Sequence, residues 1–160
     1  MLNPLTRSGR LAFYGIPLSD GCLFTLMSDF SQLSFKKNPI LSKRRAFDSK
    51  NEETFISGYS PSFSYSFDFS PSNPVHCDIA NITDNELVGQ DALRSIIIVD
   101  TYRSQNNARK YLCSVIPDVE GHDPDLYVFS GCFSCGGDTV SGDAVISQDG
   151  SNAVFVPSAV

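Results

Sequence analysis

The sequence predicts a mainly β domain, a β-sandwich of two packed antiparallel sheets or an open barrel, with one short flanking α-helix. Three observations predict it. Residues 62–69, S-F-S-Y-S-F-D-F, alternate aromatic and polar side chains, the period of a strand with one face on a core and the other in water. Charged residues make up only 19% of the chain, while Phe and Tyr number 12 and 6 and Gly and Pro 11 and 9, a balance that fits neither a long charged helix nor an acidic disordered segment. The run I-I-I-V at 96–99 is β-branched throughout and suits a strand buried on both faces. With 160 residues, 41% of them hydrophobic, a single domain over 1–160 with one core is expected.

The elements follow in order. Residues 11–16, 22–27 and 32–36 are the weaker strand candidates, and the first thirty residues read as an arm or a strand. Arg7 and Arg10 precede the apolar stretch 11–18 in the manner of a secretory leader. Gly15 and Pro17 interrupt that stretch and no A-x-A-like cleavage site follows, so export by that route is not expected. Residues 37–53 have no convincing periodicity and read as a long loop between two strands. Loops longer than about 12–15 residues in compact domains are usually functional or disordered. This one is also charged. Lys36, Lys37, Lys43, Arg44 and Arg45 put five of the 12 basic residues within ten positions, and Asp48, Lys50, Glu52 and Glu53 follow.

The aromatic strand 62–69 ends at Pro71 and Pro74. Asn73-Pro74 can open a helix, since proline fixes φ for a first turn. Val75, Ile79, Ile82 and Leu87 then fall mostly at helical spacing, and Gly89 supplies a stop, so a helix over 74–88 is expected. Strands are expected at 94–102 and 108–119. After the loop E-G-H-D-P-D come strands at 125–135 and 139–147, separated by a Gly136-Gly137 turn. A last strand at 153–156 follows the Asp149-Gly150 turn.

The net charge is −6 with a pI near 4.7, which argues against a general nucleic-acid binder with a basic face. Residues 1–80 carry 8 basic and 7 acidic groups, whereas 81–160 carry 4 and 11. A basic loop and an acidic remainder could therefore attract each other between subunits. The other reading is a solvated loop whose charges keep the chain in solution. The longest aliphatic run, 96–99, is far short of the roughly 20 residues of a membrane helix, so no span is expected.

Signs of catalysis are sparse. The sequence lacks G-x-S-x-G, H-E-x-x-H, Walker and G-x-G-x-x-G patterns, so no enzyme activity and no cofactor are expected. Five cysteines, Cys22, Cys77, Cys113, Cys132 and Cys135, are odd in number and scattered, which fits a reducing compartment better than a disulfide framework. Cys132 and Cys135 have the C-x-x-C spacing of zinc and redox sites. On a strand, however, residues three apart point to opposite faces. Either the chain bends near Gly136-Gly137 to bring both thiols to a metal, as a zinc enzyme would require, or they are two small buried or half-buried residues. His76 and His122 form no ligand pair and read as surface or loop histidines. Asp118, Glu120, Asp123 and Asp125 could collect a calcium ion, but they lack the ordered D-x-D-x-D-G spacing and read as a solvated turn.

The run I-S-G-Y-S-P-S-F-S-Y-S-F-D-F, then N-P-V-H-C-D-I-A-N-I-T-D-N-E-L-V-G-Q-D-A, then S-I-I-I-V-D, then S-G-C-F-S-C-G-G-D-T-V-S-G-D-A-V-I resembles the phage major tail proteins that build the tail tube, particularly those of phages and prophage-like particles of Gram-positive bacteria. The resemblance spans about residues 31–156 and rests on several moderately specific pieces. It implies a tail-tube β-sandwich with a flanking helix, whose inner sheets join into a hexameric β-barrel ring. Rings would stack head to tail into a conduit for genome delivery. Implied partners are other copies of the chain, the tape-measure protein and genomic DNA in the lumen, tail terminator and baseplate or tail-tip proteins, and in contractile tails a sheath protein. The implied location is the virion tail, assembled in the host bacterial cytoplasm. The family also implies that the loop 37–53 reaches the next ring, which would make Lys36, Lys37, Lys43, Arg44, Arg45, Asp48, Lys50, Glu52 and Glu53 an inter-ring contact. A β-sandwich binding module, an adhesin or carbohydrate-binding domain, is the alternative. The absence of tryptophan counts against a sugar-stacking site.

Overall fold

A computed structural model describes residues 9–123 and 126–158, with backbone only at 119–123 and 126. Its strands, in chain order, are β1 (Arg10–Leu18), β2 (Gly21–Leu26), β3 (Gln32–Lys36), β4 (Pro39–Arg44), β5 (Glu53–Tyr59), β6 (Ser62–Asp68), β7 (Leu93–Asp100), β8 (Ala108–Asp123), β9 (Leu126–Ile146) and β10 (Asn152–Pro157). One helix, α1 (Pro74–Asp84), and a 3-10 turn (Gly89–Ala92) lie between β6 and β7. The chain is mainly β, as its alternation predicts.

Eight strands form one sheet in the order β10-β2-β1-β7-β8-β9-β6-β3, and β10 also pairs with β9. This second pairing closes β9, β10, β2, β1, β7 and β8 into a ring of hydrogen-bonded strands. β9 belongs to two layers. Its first half lies between β8 and β6, with Phe63 opposite Phe133, and its second half meets β10, with Val154 opposite Val145. β4 and β5 form a separate two-stranded sheet.

Two apolar clusters fill the structure, where length alone suggested one core. Neighbours on β1 and β7 divide between them. Phe13 and Ile97 face the cluster inside the strand ring, with Leu11, Phe24, Val99, Ala108, Ala144 and Ala153. Tyr14 and Ile96 face the cluster under α1, with Phe63, Tyr65, Phe67, Ile79 and Phe133. All four of these β1 and β7 residues are fully buried, so both strands are walls between two interiors. The I-I-I-V run needs its β-branched residues on both faces for that reason.

Several elements differ from the sequence reading. The helix stops at Asp84 instead of reaching 88, because Glu86 takes a left-handed conformation (φ 50°). The Glu86 N–H then bonds the Thr83 carbonyl and the Leu87 N–H bonds that of Ile82, at 3.2 and 3.0 Å, which is the Schellman pattern of helix termination. Gly136-Gly137 is not a turn. β9 continues through it, and Gly137 (φ 70°) lies in a bulge where the pairing steps from Lys110–Val140 to Leu112–Gly136. Inserted residues of this kind bend a strand without ending it. The expected loop E-G-H-D-P-D is mostly strand, since β8 continues to Asp123 and pairs there with Leu126; Pro124 and Asp125 lie outside the described residues. The stretch 37–53 contains β4, whose pairing with β5 shifts between Ile40 and Leu41 because Ser57 is an extra residue on β5.

His76 is buried and not at the surface. Its ring stacks on Phe67, with centroids 4.1 Å apart, and meets Phe30 edge-on. α1 is anchored to the sheet by Asp78, which accepts hydrogen bonds from the Tyr14 hydroxyl and from Nε of Arg94, the latter at 2.8 Å.

Candidate interaction surface

The feature that stands apart from the packed body is the β4–β5 hairpin. It leaves the body at Asn38, a residue with positive φ (46°). The Asn38 side-chain amide donates to the Ser60 carbonyl and the Ser62 hydroxyl, at 3.1 and 3.0 Å, and the Ser60 N–H donates back to the Asn38 carbonyl. These bonds fix where the arm departs. Beyond them it is held by its own ladder, Leu41 opposite Ile56, Ser42 opposite Phe55 and Arg44 opposite Glu53.

An isolated two-stranded hairpin is at best marginally stable in water, and this one leaves much apolar surface uncovered. Ile40, Leu41, Phe55, Ile56 and Tyr59 are each about half exposed, and Phe47 near the tip is fully exposed. Around them lies the charge noted in the sequence. Lys36 ends β3, and Lys37 lies in the connection to the arm. Lys43 and Arg44 are on β4, Arg45, Asp48, Lys50 and Glu52 in the tip connection, and Glu53 starts β5. All nine are exposed, and among the described residues none closes an ion pair within the arm. The structure thus gathers eight of them on or next to one hairpin and leaves Lys36 on the body.

At the root of the arm a cleft of about 110 Å³ opens between β3, β7 and β8, lined by Phe35, Lys37, Asp100, Arg103, Arg109 and Tyr111 among others. Burial raises the Tyr111 phenol while the neighbouring Arg109 opposes that shift, so the phenol stays protonated. Arg103 forms an exposed ion pair with Asp100 at 3.5 Å.

The body offers two further contact features. Among the described residues β3 pairs only with β6, and its other edge is open. On the outside of the strand ring, Val145 and Val154 face each other across β9 and β10 and are both about two-thirds exposed. The apolar half of this surface was not read from the sequence. Its signal is present in P-I-L-S-K-R and E-T-F-I-S-G-Y, but Ile40 and Leu41 are consecutive apolar residues on β4 and Ser57 is an extra residue in the register of β5, so neither segment shows a clean period of two.

The cysteine spacing resolves differently from a metal site. β9 does not fold back, so Cys132 and Cys135 point to opposite faces, and Cys135 meets Cys113 on β8 with the sulfurs 2.8 Å apart. Among the described residues, no three His, Cys, Asp or Glu side chains converge as metal ligands. Asp118 is exposed, and the side chains of Glu120, His122, Asp123 and Asp125 lie outside the described residues. No helix in the described residues is long and apolar enough to cross a membrane.

No family model matches the chain, and no curated protein matches it. Among solved structures, it is similar to a chain in the tail of an empty GTA particle computed with helical refinement and C6 symmetry. That match covers 84% of this chain and 96% of the other, with a TM-score of 0.61 at 11% identity. A second similar chain comes from the 6-fold symmetrised baseplate of the anti-feeding prophage (AFP), covering 87% and 95% with a TM-score of 0.46 at 11% identity. The first match establishes that the fold is one used by a tail chain.

Proposed function

We propose that this protein is a structural subunit of a phage-type tail, and that six copies form a ring whose repeats stack head to tail into the tail tube. The observation that carries the reading is the β4–β5 arm, a projecting hairpin with exposed Ile40, Leu41, Phe55 and Ile56 and a basic strand end, on a body whose fold is also that of a tail chain in a C6-symmetric helical particle. Such an arm gains little alone and much when a neighbouring copy covers it.

In this arrangement the open edge of β3 gains a partner in the adjacent subunit, since a closed ring leaves no strand edge unpaired. The arm reaches the next ring, where Lys43, Arg44 and Arg45 meet acidic groups of the second half of the chain. Double-stranded DNA passing through the tube must slide. A basic wall would hold phosphates by releasing their counterions, and a subunit of net charge −6 avoids that. The tape-measure protein would share the lumen, terminator and baseplate or tail-tip proteins would close the two ends, and in a contractile tail a sheath would surround it. The protein acts as a wall and conduit and not as a catalyst, in the virion tail after assembly in the host cytoplasm.

Negative-stain microscopy of concentrated protein, alone and with the initiating end of a tail, tests this. Six-fold rings stacked into hollow tubes are expected. A chain that stays monomeric under both conditions, or that labels a part of the particle outside the tube wall, would refute it.

A further inference from the structure

Cys113 on β8 and Cys135 on β9 face each other in register, with their sulfurs 2.8 Å apart. The backbone places them at a favourable kind of position. The Cys135 N–H donates to the Pro61 carbonyl at 2.9 Å, on the β6 side of β9, so its hydrogen-bonding groups point away from β8. The Cys113–Cys135 pair is therefore a non-hydrogen-bonded one, where facing Cα atoms of antiparallel strands come to about 4.5 Å. A disulfide bridges Cα atoms about 4.4–6.8 Å apart. Cys113 is fully buried in the cluster under α1, Cys135 is half-buried at its margin, and Cys132 points to the opposite face.

We propose that Cys113 and Cys135 form a covalent modification site, a cross-strand disulfide made by exchange with a low-molecular-weight disulfide such as oxidised glutathione. Cys135 is the entry point because it is the accessible member. The adjoining Cys135 sulfur and burial raise the pKa of the Cys113 thiol, so the attacking thiolate forms on the more accessible Cys135. The Cys135 thiolate attacks one sulfur of the small disulfide, that S–S bond breaks, and one small thiolate leaves. Cys113 then attacks Cys135 Sγ in the mixed disulfide, its proton passing to solvent, and the second small thiolate leaves and is protonated. Overall, two protein thiols are oxidised to one disulfide and one small disulfide is reduced to two thiols. The inference concerns the folded chain alone and does not depend on assembly.

The test is to incubate the full-length protein with oxidised glutathione, denature it, count free thiols and map cross-linked peptides by mass spectrometry. One 113–135 cross-link is expected in the wild-type chain and in Cys132→Ser, whereas the exposed Cys22 and Cys77 carry at most glutathione adducts. Cys113→Ser should yield no cross-link and instead retain a glutathione adduct on Cys135. Unmodified thiols in the wild-type chain, separate adducts without a cross-link, or pairing of Cys135 with Cys132 would overturn the proposal. The wild-type result decides the matter even if a variant folds poorly.

Discussion

A hydrogen atom in place of a side chain decides the fit of β9 against β8 at Gly131. A Cβ there would lie 2.3 Å from the Ile116 carbonyl oxygen and 2.8 Å from the Tyr65 hydroxyl, neither of which can retreat, since one is ladder backbone and the other a buried ring. Five residues on, a Cβ at Gly136 would meet nothing within 4 Å. We therefore expect Gly131→Ala to destabilise the fold by about 2–3 kcal/mol through overpacking, and Gly136→Ala to stay within about 0.5 kcal/mol of the wild type. Urea unfolding of the two variants checks both, and equal midpoints would contradict the packing described. His76 supplies a pH dependence. Burial depresses its pKa, with the Ser28 backbone and Asp29 only partly offsetting it, so the unfolded chain binds a proton more readily than the folded one. Its contribution is fully present above the unfolded value of about 6.5 and is lost as pH falls below it through the folded value. Thermal melts between pH 7.5 and 5 should fall with acidity. The fall should shrink in His76→Phe, and an unchanged slope in that variant would assign the effect elsewhere.

Helix α1 is defined by its two ends, and only one of them follows a familiar sequence signal. At the start, the Asn73 side chain accepts from the Val75 and His76 N–H groups at 3.0 and 3.4 Å, and its amide donates to the Ser28 carbonyl, so one residue caps the helix and ties it to the loop after β2. At the end, a glutamate occupies the left-handed position that glycine usually fills. A left-handed residue with a Cβ costs roughly 1–2 kcal/mol, partly offset on replacement by glycine's greater freedom when unfolded. Glu86→Gly should thus stabilise the protein by about 0.5–1 kcal/mol, read as a higher denaturant midpoint with unchanged slope. A lower midpoint would mean that the Glu86 side chain makes a compensating contact. The same reasoning explains what could be read in advance. Asn73-Pro74 and the aromatic alternation of β6 are local signals with one meaning, and the structure matches them. Gly136-Gly137 has two meanings, turn or bulge, and only the continuous pairing of β9 with β8 chooses between them. β4 carries no such signal, because Ile40 and Leu41 are consecutive and both exposed, so its six residues show no apolar and polar alternation. The charged residues of the arm were legible one by one, whereas their support on a hairpin with an apolar face was not.

At the scale of the whole molecule, the proposed stacking would have the arm combine two forces that respond differently to salt. Attraction between Lys43, Arg44 and Arg45 and an acidic neighbour is screened over about 8–10 Å at physiological ionic strength, whereas burial of Ile40, Leu41, Phe55 and Ile56 is not weakened by added salt. If both act in ring stacking, they separate by rate and by persistence. Charge pairs at an exposed rim steer the encounter, and the apolar contact sets how long it lasts. The triple reversal Lys43→Glu, Arg44→Glu, Arg45→Glu should then slow tube growth, with the deficit largest in dilute buffer and narrowing as salt rises. Phe55→Ser with Ile56→Ser should stop stacking at every ionic strength. Neither change should alter the melting of the isolated subunit much, because these side chains face solvent in the monomer and exposed substitutions usually cost less than about 0.5 kcal/mol. Light scattering during assembly across a salt series, with thermal melts of each variant, measures all of this. Tubes growing at the wild-type rate from the charge-reversed protein in dilute buffer would remove the electrostatic role from the arm. Tubes formed by the serine variant would show that subunits stack through another face, of which the exposed Val145–Val154 strip is the next to test.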